Sequence, residues 1–204
     1  MADDPTLVCI GNLTIDEAVS PSGERVESVG GDALFAALSA RLAGARPVIV
    51  APLGNDATAD LRAALRSAGT DPDALPRRDR PTVRNIVSYD DAGGRVWDLV
   101  LGEQHFEDMS VHPGDVPDDA LCAPGILVSA MALHAQIELA GWLRAHTGAA
   151  IYFDPQEDYI SGNDAALRDA VRACDVFLPS EVEAAALAGT SDLDAAVRTF
   201  LDLG

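Results

Sequence analysis

From residue 46 onward the chain alternates short, wholly apolar runs with stretches of helical period, and that alternation constrains the fold more than any other feature. Apolar runs over 47–51, 125–129 and 149–153 are each followed by a helical pattern, over 57–68, 135–146 and 165–173. A fourth run, Asp175-Val176-Phe177-Leu178, leads into a helix over 181–187, and Ser191 is the expected cap of one more helix reaching the end of the sequence. Strand and helix repeated in this way are the signature of parallel βαβ units. Because Pro47-Val48-Ile49-Val50-Ala51 is apolar at every position rather than at every second one, both faces of the sheet must be covered. The expected class is α/β, with a doubly wound and mostly parallel sheet.

Two stretches break the rhythm. Segments 14–19 and 24–29 flank Ser20-Pro21-Ser22-Gly23, and segments 83–89 and 95–101 flank Asp90-Asp91-Ala92-Gly93-Gly94. Both are hairpin patterns with turn residues at the centre and no crossover helix. Hairpins at about 13–29 and 82–101 are expected to pair into one small antiparallel sheet standing off the main one. Such a sheet is either a lid over a ligand crevice or a pair of surface ribbons.

Composition removes several classes of function. The 204 residues are 48% apolar, enough for one large domain with a small appendage. The formal net charge is −19 and all fourteen basic residues are Arg, spread without a cluster, so a nucleic-acid backbone meets mostly repulsion. Absence of Lys excludes a Walker-type phosphate loop and a pyridoxal Schiff base in this sequence. The first apolar run, 7–10, leads into Gly11-Asn12-Leu13 rather than a dinucleotide-binding glycine fingerprint. The four His form no H-E-x-x-H pair, and no G-x-S-x-G elbow is present. Cys9, Cys122 and Cys174 match no metal-ligand spacing and are expected as buried free thiols. An acidic Met1-Ala2-Asp3-Asp4-Pro5 start and the lack of a membrane-length apolar run lead to the expectation of a cytoplasmic protein without a membrane partner.

In an open α/β sheet, ligands bind beyond the carboxyl ends of the strands. Asp16, just past the first strand, is there to accept hydrogen bonds from hydroxyls, or is a solvated hairpin residue. Gly30-Gly31-Asp32 opens a helix over 33–43; the glycines admit a ligand to the backbone beside free helix N–H groups, or form a flexible turn with Asp32 as N-cap. Ser180-Glu181-Val182-Glu183 fits a capping box. Glu183 either completes that cap or faces the crevice and holds a metal-bound phosphate through water. Asp154 ends a strand, where a polar site is expected, and Pro155 after it starts a turn.

Taken in order, these segments resemble the ribokinase or PfkB family of carbohydrate kinases. Val8-Cys9-Ile10-Gly11-Asn12 followed by Asp16 is similar to the family's first strand with its sugar-binding Asp, and Gly30-Gly31-Asp32 through Gly44 to its G-G helix. Leu53-Gly54-Asn55-Asp56 resembles the G-x-D segment, Asp154-Pro155-Gln156 the D-P-N element, and Asp175 through Glu183 the strand leading into N-x-x-E. The resemblance implies a ribokinase-like fold with a β-lid and transfer of the γ-phosphate of ATP, with Mg, to a hydroxyl of a sugar or sugar-like alcohol. It assigns Asp16, Gly30, Gly31, Asp32 and Phe35 to the substrate, and Asp154 and Glu183 to the nucleotide and its metal.

Four positions depart from the family. Phe35 replaces an Asn near the sugar, Ala59 a Gly, Ser180 the Asn of N-x-x-E, and Asp158 the Arg of D-P-N-x-R. An aromatic side chain at position 35 can stack on a ring or a base. Family members also run on into a Gly-Ala-Gly-Asp motif, whose Asp deprotonates the acceptor and which this sequence lacks. The resemblance thus assigns no catalytic base to these residues and implies that the 204-residue chain is inactive alone. The competing expectation is a non-catalytic polyol-binding or dimerisation module; a homodimer through the hairpin sheet is compatible with both.

Overall fold

The protein is described by a computed structural model covering residues 6–203. The acidic start at residues 1–5 lies outside the described residues. The chain runs β1 (Leu7–Ile10), β2 (Thr14–Val19), β3 (Arg25–Gly30), α1 (Asp32–Leu42), β4 (Pro47–Val50), α2 (Ala59–Ser67), β5 (Val83–Tyr89) and β6 (Arg95–Leu99). It continues through α3 (Glu103–Asp108), β7 (Gly125–Val128), α4 (Leu133–His146), β8 (Ala150–Phe153), α5 (Asp164–Ala173), β9 (Val176–Phe177), α6 (Glu181–Ala188) and α7 (Leu193–Leu201).

Five strands form one parallel sheet in the order β4-β1-β7-β8-β9. Successive residues of a strand point to opposite faces, and β1 serves both: Val8 and Ile10 join the core under α4 and α5, whereas Cys9 joins the core under α1 and α2. Helices on both faces make the sheet doubly wound, as the uninterrupted apolar strands require. β9 is only two residues long, and Asp175 just before it accepts the Ile151 N–H at 2.8 Å and a guanidinium N–H of Arg144 at 2.8 Å.

The two hairpins make a separate four-stranded sheet in the order β3-β2-β5-β6. Each hairpin is antiparallel, but the central pair β2–β5 is parallel, so the sheet is mixed rather than antiparallel throughout. The cause is where the two strands set out. β2 begins where β1 leaves the main sheet, and β5 begins beside the loop after β4, where Asp56 accepts the Thr82 N–H at 2.6 Å. Both then run outward side by side. Gly54 permits the approach, since a Cβ there would stand 2.3 Å from the Thr82 nitrogen.

Two helix N-caps stand one residue from where they were expected. Asp192, not Ser191, caps α7 by accepting the Ala195 N–H at 3.1 Å. Gly31, not Asp32, stands at the N-cap of α1, and Asp32 is its first helical residue. The short α3 had no expectation attached to it. Of the thiols, Cys9 and Cys174 are buried and free as expected, and Cys122 is exposed, on a 3-10 turn. Among the described residues no helix is long and apolar enough to cross a membrane.

Candidate functional site

The carboxyl ends of β1, β7 and β8 open beneath the start of β2 and the first turn of α1. Asp16, in β2, has both carboxylate oxygens engaged: Oδ2 accepts the Thr14 hydroxyl at 2.8 Å and Oδ1 accepts Asn85 Nδ2 at 2.8 Å. These bonds hold the carboxylate in one orientation, and each oxygen retains a lone pair for a further donor. Gly30 lies across the β2–β3 pair from Thr14, and a Cβ on it would fall 2.3 Å from Asp16 Oδ2. Absence of a side chain at position 30 therefore keeps the carboxylate open. Gly31 has φ 105°, and a Cβ there would stand 2.2 Å from the Asn12 carbonyl oxygen, so the turn into α1 requires glycine.

Asp32 is accessible to solvent yet surrounded by protein, as a residue lining a cleft is. Desolvation and the neighbouring Asp16 charge raise its pKa, against an opposing contribution from its own backbone N–H. Asp154 follows β8; its N–H donates to the Val128 carbonyl at 2.9 Å, and its carbonyl accepts Gln136 Nε2 at 2.6 Å. Burial, then the charges of Asp32 and Glu183, push the Asp154 carboxyl up to about 7. The fold thus brings Asp16, Asp32, Asp154 and Glu183, from four separate elements, within electrostatic reach along one crevice.

Glu183 completes a capping box with Ser180. Its Oε2 accepts the Ser180 N–H at 2.6 Å, and its own N–H donates to Ser180 Oγ at 3.2 Å. The side chain is buried, with Oε1 free of any partner among the described residues. Phe35, in the first turn of α1, is 53% exposed and packs into no core. Asp158 is exposed, and Ala59 opens α2. Among the described residues no group of three or more His, Cys, Asp or Glu is arranged to hold a metal ion directly.

Two buried asparagines were not anticipated. Asn85 is the register partner of Asp16 across β2–β5 and orients its carboxylate. Its signal was available: Val83 and Val87 point inward, and Asn85 interrupts that buried period with a polar side chain. Asn12, two residues past β1, is 2% exposed with neither amide atom bonded to a described residue. Asp56 ties the second sheet to the main one. Its pKa is lowered because Thr82 and Arg84 outweigh the effect of burial, and the Arg84 guanidinium lies 2.9 Å from its Oδ2.

No family model matches the chain. The chain is 29% identical over 194 residues to a cytidine kinase of Thermococcus kodakarensis (strain ATCC BAA-918 / JCM 12380 / KOD1), covering 94% of this chain and 67% of that protein. A PfkB protein from Polaromonas sp. JS666 superposes with a TM-score of 0.77 at 15% identity, over 98% of this chain and 74% of the other. A fructokinase from Xylella fastidiosa, solved with bound ATP, superposes with a TM-score of 0.74 at 18% identity, over 97% and 69%. The resemblance to ribokinase and PfkB kinases read from the sequence is borne out, and the fold is ribokinase-like.

Proposed function

We propose that this chain carries the acceptor-binding part of a ribokinase-type kinase that transfers the γ-phosphate of ATP to a hydroxyl of a sugar or nucleoside. The observation that carries the reading is the Asp16 carboxylate, oriented by Thr14 and Asn85 and kept open by Gly30 at the carboxyl edge of the sheet. Similarity to a cytidine kinase supports a nucleoside acceptor, and kinship of fold with a fructokinase solved with ATP supports the nucleotide.

In this reading Asp16 accepts hydrogen bonds from two acceptor hydroxyls, each charged bond contributing about 1.5–3 kcal/mol. Gly30 and Gly31 let the acceptor approach the backbone, Asp32 lines the same wall, and Phe35 offers a ring face. The second sheet acts as a lid, tied to the main sheet through Arg84 and Asp56. Holding acceptor and donor in line supplies most of the rate in phosphoryl transfer, where there is little covalent work for a protein.

Asp154 and Glu183 fit the metal side of the nucleotide. They are desolvated and mutually repulsive, which a divalent cation relieves, and the free Glu183 Oε1 suits a partner held through water. Magnesium, when bound with ATP, neutralises charge on its phosphates. Around it the chain's own residues fix the crevice wall. Calorimetry with a sugar and nucleoside panel tests the proposal: Asp16→Ala should weaken acceptor binding at least about tenfold. Residues 1–204 alone should bind acceptor without releasing ADP. Unchanged acceptor affinity in the variant refutes the role of Asp16.

A further inference from the structure

Polar bonds fasten the second sheet to the main domain at one place, the segment that leads into β5. Arg78 is the centre of it: Nε donates to the Asp108 carbonyl at 3.2 Å, and a terminal guanidinium N–H donates to Asp115 Oδ2 at 2.6 Å. Asp115 is held in turn by the His112 N–H at 3.0 Å. Arg80 pairs with Asp108 at 2.9 Å, and Arg84, inside β5, with Asp56 at 2.9 Å. The backbone takes part as well, the Arg78 N–H donating to the Leu53 carbonyl at 3.1 Å and the Asn55 N–H to the Arg80 carbonyl at 2.8 Å. A planar guanidinium serves two acceptors at once, as Arg78 does here.

The first hairpin has no such fastening. Among the described residues, no side chain of β2 or β3 makes a hydrogen bond or ion pair outside the second sheet. Val29 packs against the core under α1 and α2, and Val83 against Phe106 and Met109, but apolar contacts are non-directional and fix little orientation. The placing of Asp16 over the crevice therefore depends on β5. Successive residues of a strand face opposite ways. Arg84 turns to Asp56, and Asn85, next to it, donates to Asp16 Oδ1 at 2.8 Å.

We propose that Arg78 and Arg84 are positioning residues for acceptor recognition, holding the root of β5 so that Asn85 keeps the Asp16 carboxylate facing the wall at Gly31 and Asp32. The inference rests on the acceptor role of Asp16 given above. An acceptor bound between Asp16 and the start of α1 touches the second sheet and the main domain at once. Only molecules with the two in register bind it, and the apparent Kd rises as the reciprocal of the fraction that are. Partly buried pairs bias that fraction more than exposed ones, because solvent and salt screen them less. The Arg78 and Asp115 side chains are 24% and 12% exposed and those of Arg84 and Asp56 35% and 33%, whereas that of Arg80 is 53% exposed. Arg80 is therefore the minor member.

Calorimetric titration of the 204-residue chain with cytidine and with ribose, below the Tm of every variant, tests the inference. Arg84→Met should raise the Kd of the acceptor that binds by about three- to tenfold, and Arg78→Met at least as far. Arg84→Lys, whose ammonium can meet the same Asp56 oxygen, should return the Kd to within about twofold of the wild type. Asp56→Asn keeps an acceptor for the Thr82 N–H and removes the charge facing Arg84, so it should reproduce the loss, and it decides the matter if the Met variants fail to fold. Arg62→Met breaks an ion pair of similar geometry, 3.1 Å to Asp73, away from the second sheet, and should leave the Kd unchanged. Unchanged affinity in Arg84→Met, Arg78→Met or Asp56→Asn, a loss that Lys at position 84 does not restore, or an equal loss in Arg62→Met overturns the inference while leaving Asp16 in place. Binding indifferent to Asp16→Ala, or no binding of either probe by the wild-type chain, overturns the acceptor reading itself and this inference with it.

Discussion

Replacing Asp154 by Asn isolates the electrostatic cost of the crevice. Burial, then Asp32 and Glu183, raise this carboxyl from 3.8 to about 7, so the folded chain retains a proton that the unfolded chain has already released. A raised folded-state pKa gives stability that is complete below the unfolded value of 3.8 and is lost as pH rises through about 7. A rise of about three pK units sets an upper bound of roughly 4 kcal/mol. The side chain is only partly buried, and solvent screening reduces the figure to about 1–2 kcal/mol. Asparagine keeps the backbone bonds to Val128 and Gln136 and removes the charge. The variant's advantage should be small at about pH 4, near the unfolded value, and reach about 1–2 kcal/mol at about pH 8, or about 2–8 °C in Tm. Thermal unfolding followed by circular dichroism at both pH values measures the difference. Asp56 and Asp175, whose pKa values are lowered, lose their contribution only as pH falls below the ordinary carboxylate range, outside this window. A variant whose advantage does not grow between the two pH values refutes the reasoning.

Two further substitutions separate structure from chemistry. Gly31→Ala forces a side chain into φ 105° and a Cβ to 2.2 Å from the Asn12 carbonyl oxygen. Urea unfolding should show a loss above about 2 kcal/mol, and a loss under about 0.5 kcal/mol would mean that the turn relaxes freely. Glu183→Gln keeps an acceptor for the Ser180 N–H, so stability should fall by less than about 1 kcal/mol. ADP affinity in the presence of Mg should fall, and affinity without Mg should not. Equal effects with and without Mg would leave Glu183 a capping residue only.

The main sheet was legible because period is a local property. Pro47–Val50 and Ala150–Phe153 each announce a buried strand within a few residues, and the turn residues around Gly23 and Gly93 announce the hairpins. The ends of helices were less legible where two capping residues stand side by side. Ser191 and Asp192 offer the same kind of side-chain cap, and Gly31 caps α1 through its backbone carbonyl alone, so local residue type does not decide the boundary. The six-residue α3 is too short for a helical period to register. At the site, strand ends pointed to Asp16 and Asp154. The hydrogen bond from Asn85 to Asp16 spans 69 residues of sequence. Such juxtapositions follow from tertiary packing, which no local pattern encodes.

The parallel joint between β2 and β5 has a consequence for how the chain folds. Each hairpin is local, but Thr14 and Val83 are separated in sequence by β3, α1, β4 and α2. Closing that loop is entropically costly before any contact rewards it. The joint is therefore expected to close late in folding. Asp16 acquires its Asn85 partner only when the joint closes, so acceptor binding becomes possible in the same late step that completes the second sheet, and a chain with the main sheet formed but the joint open offers the acceptor no oriented carboxylate.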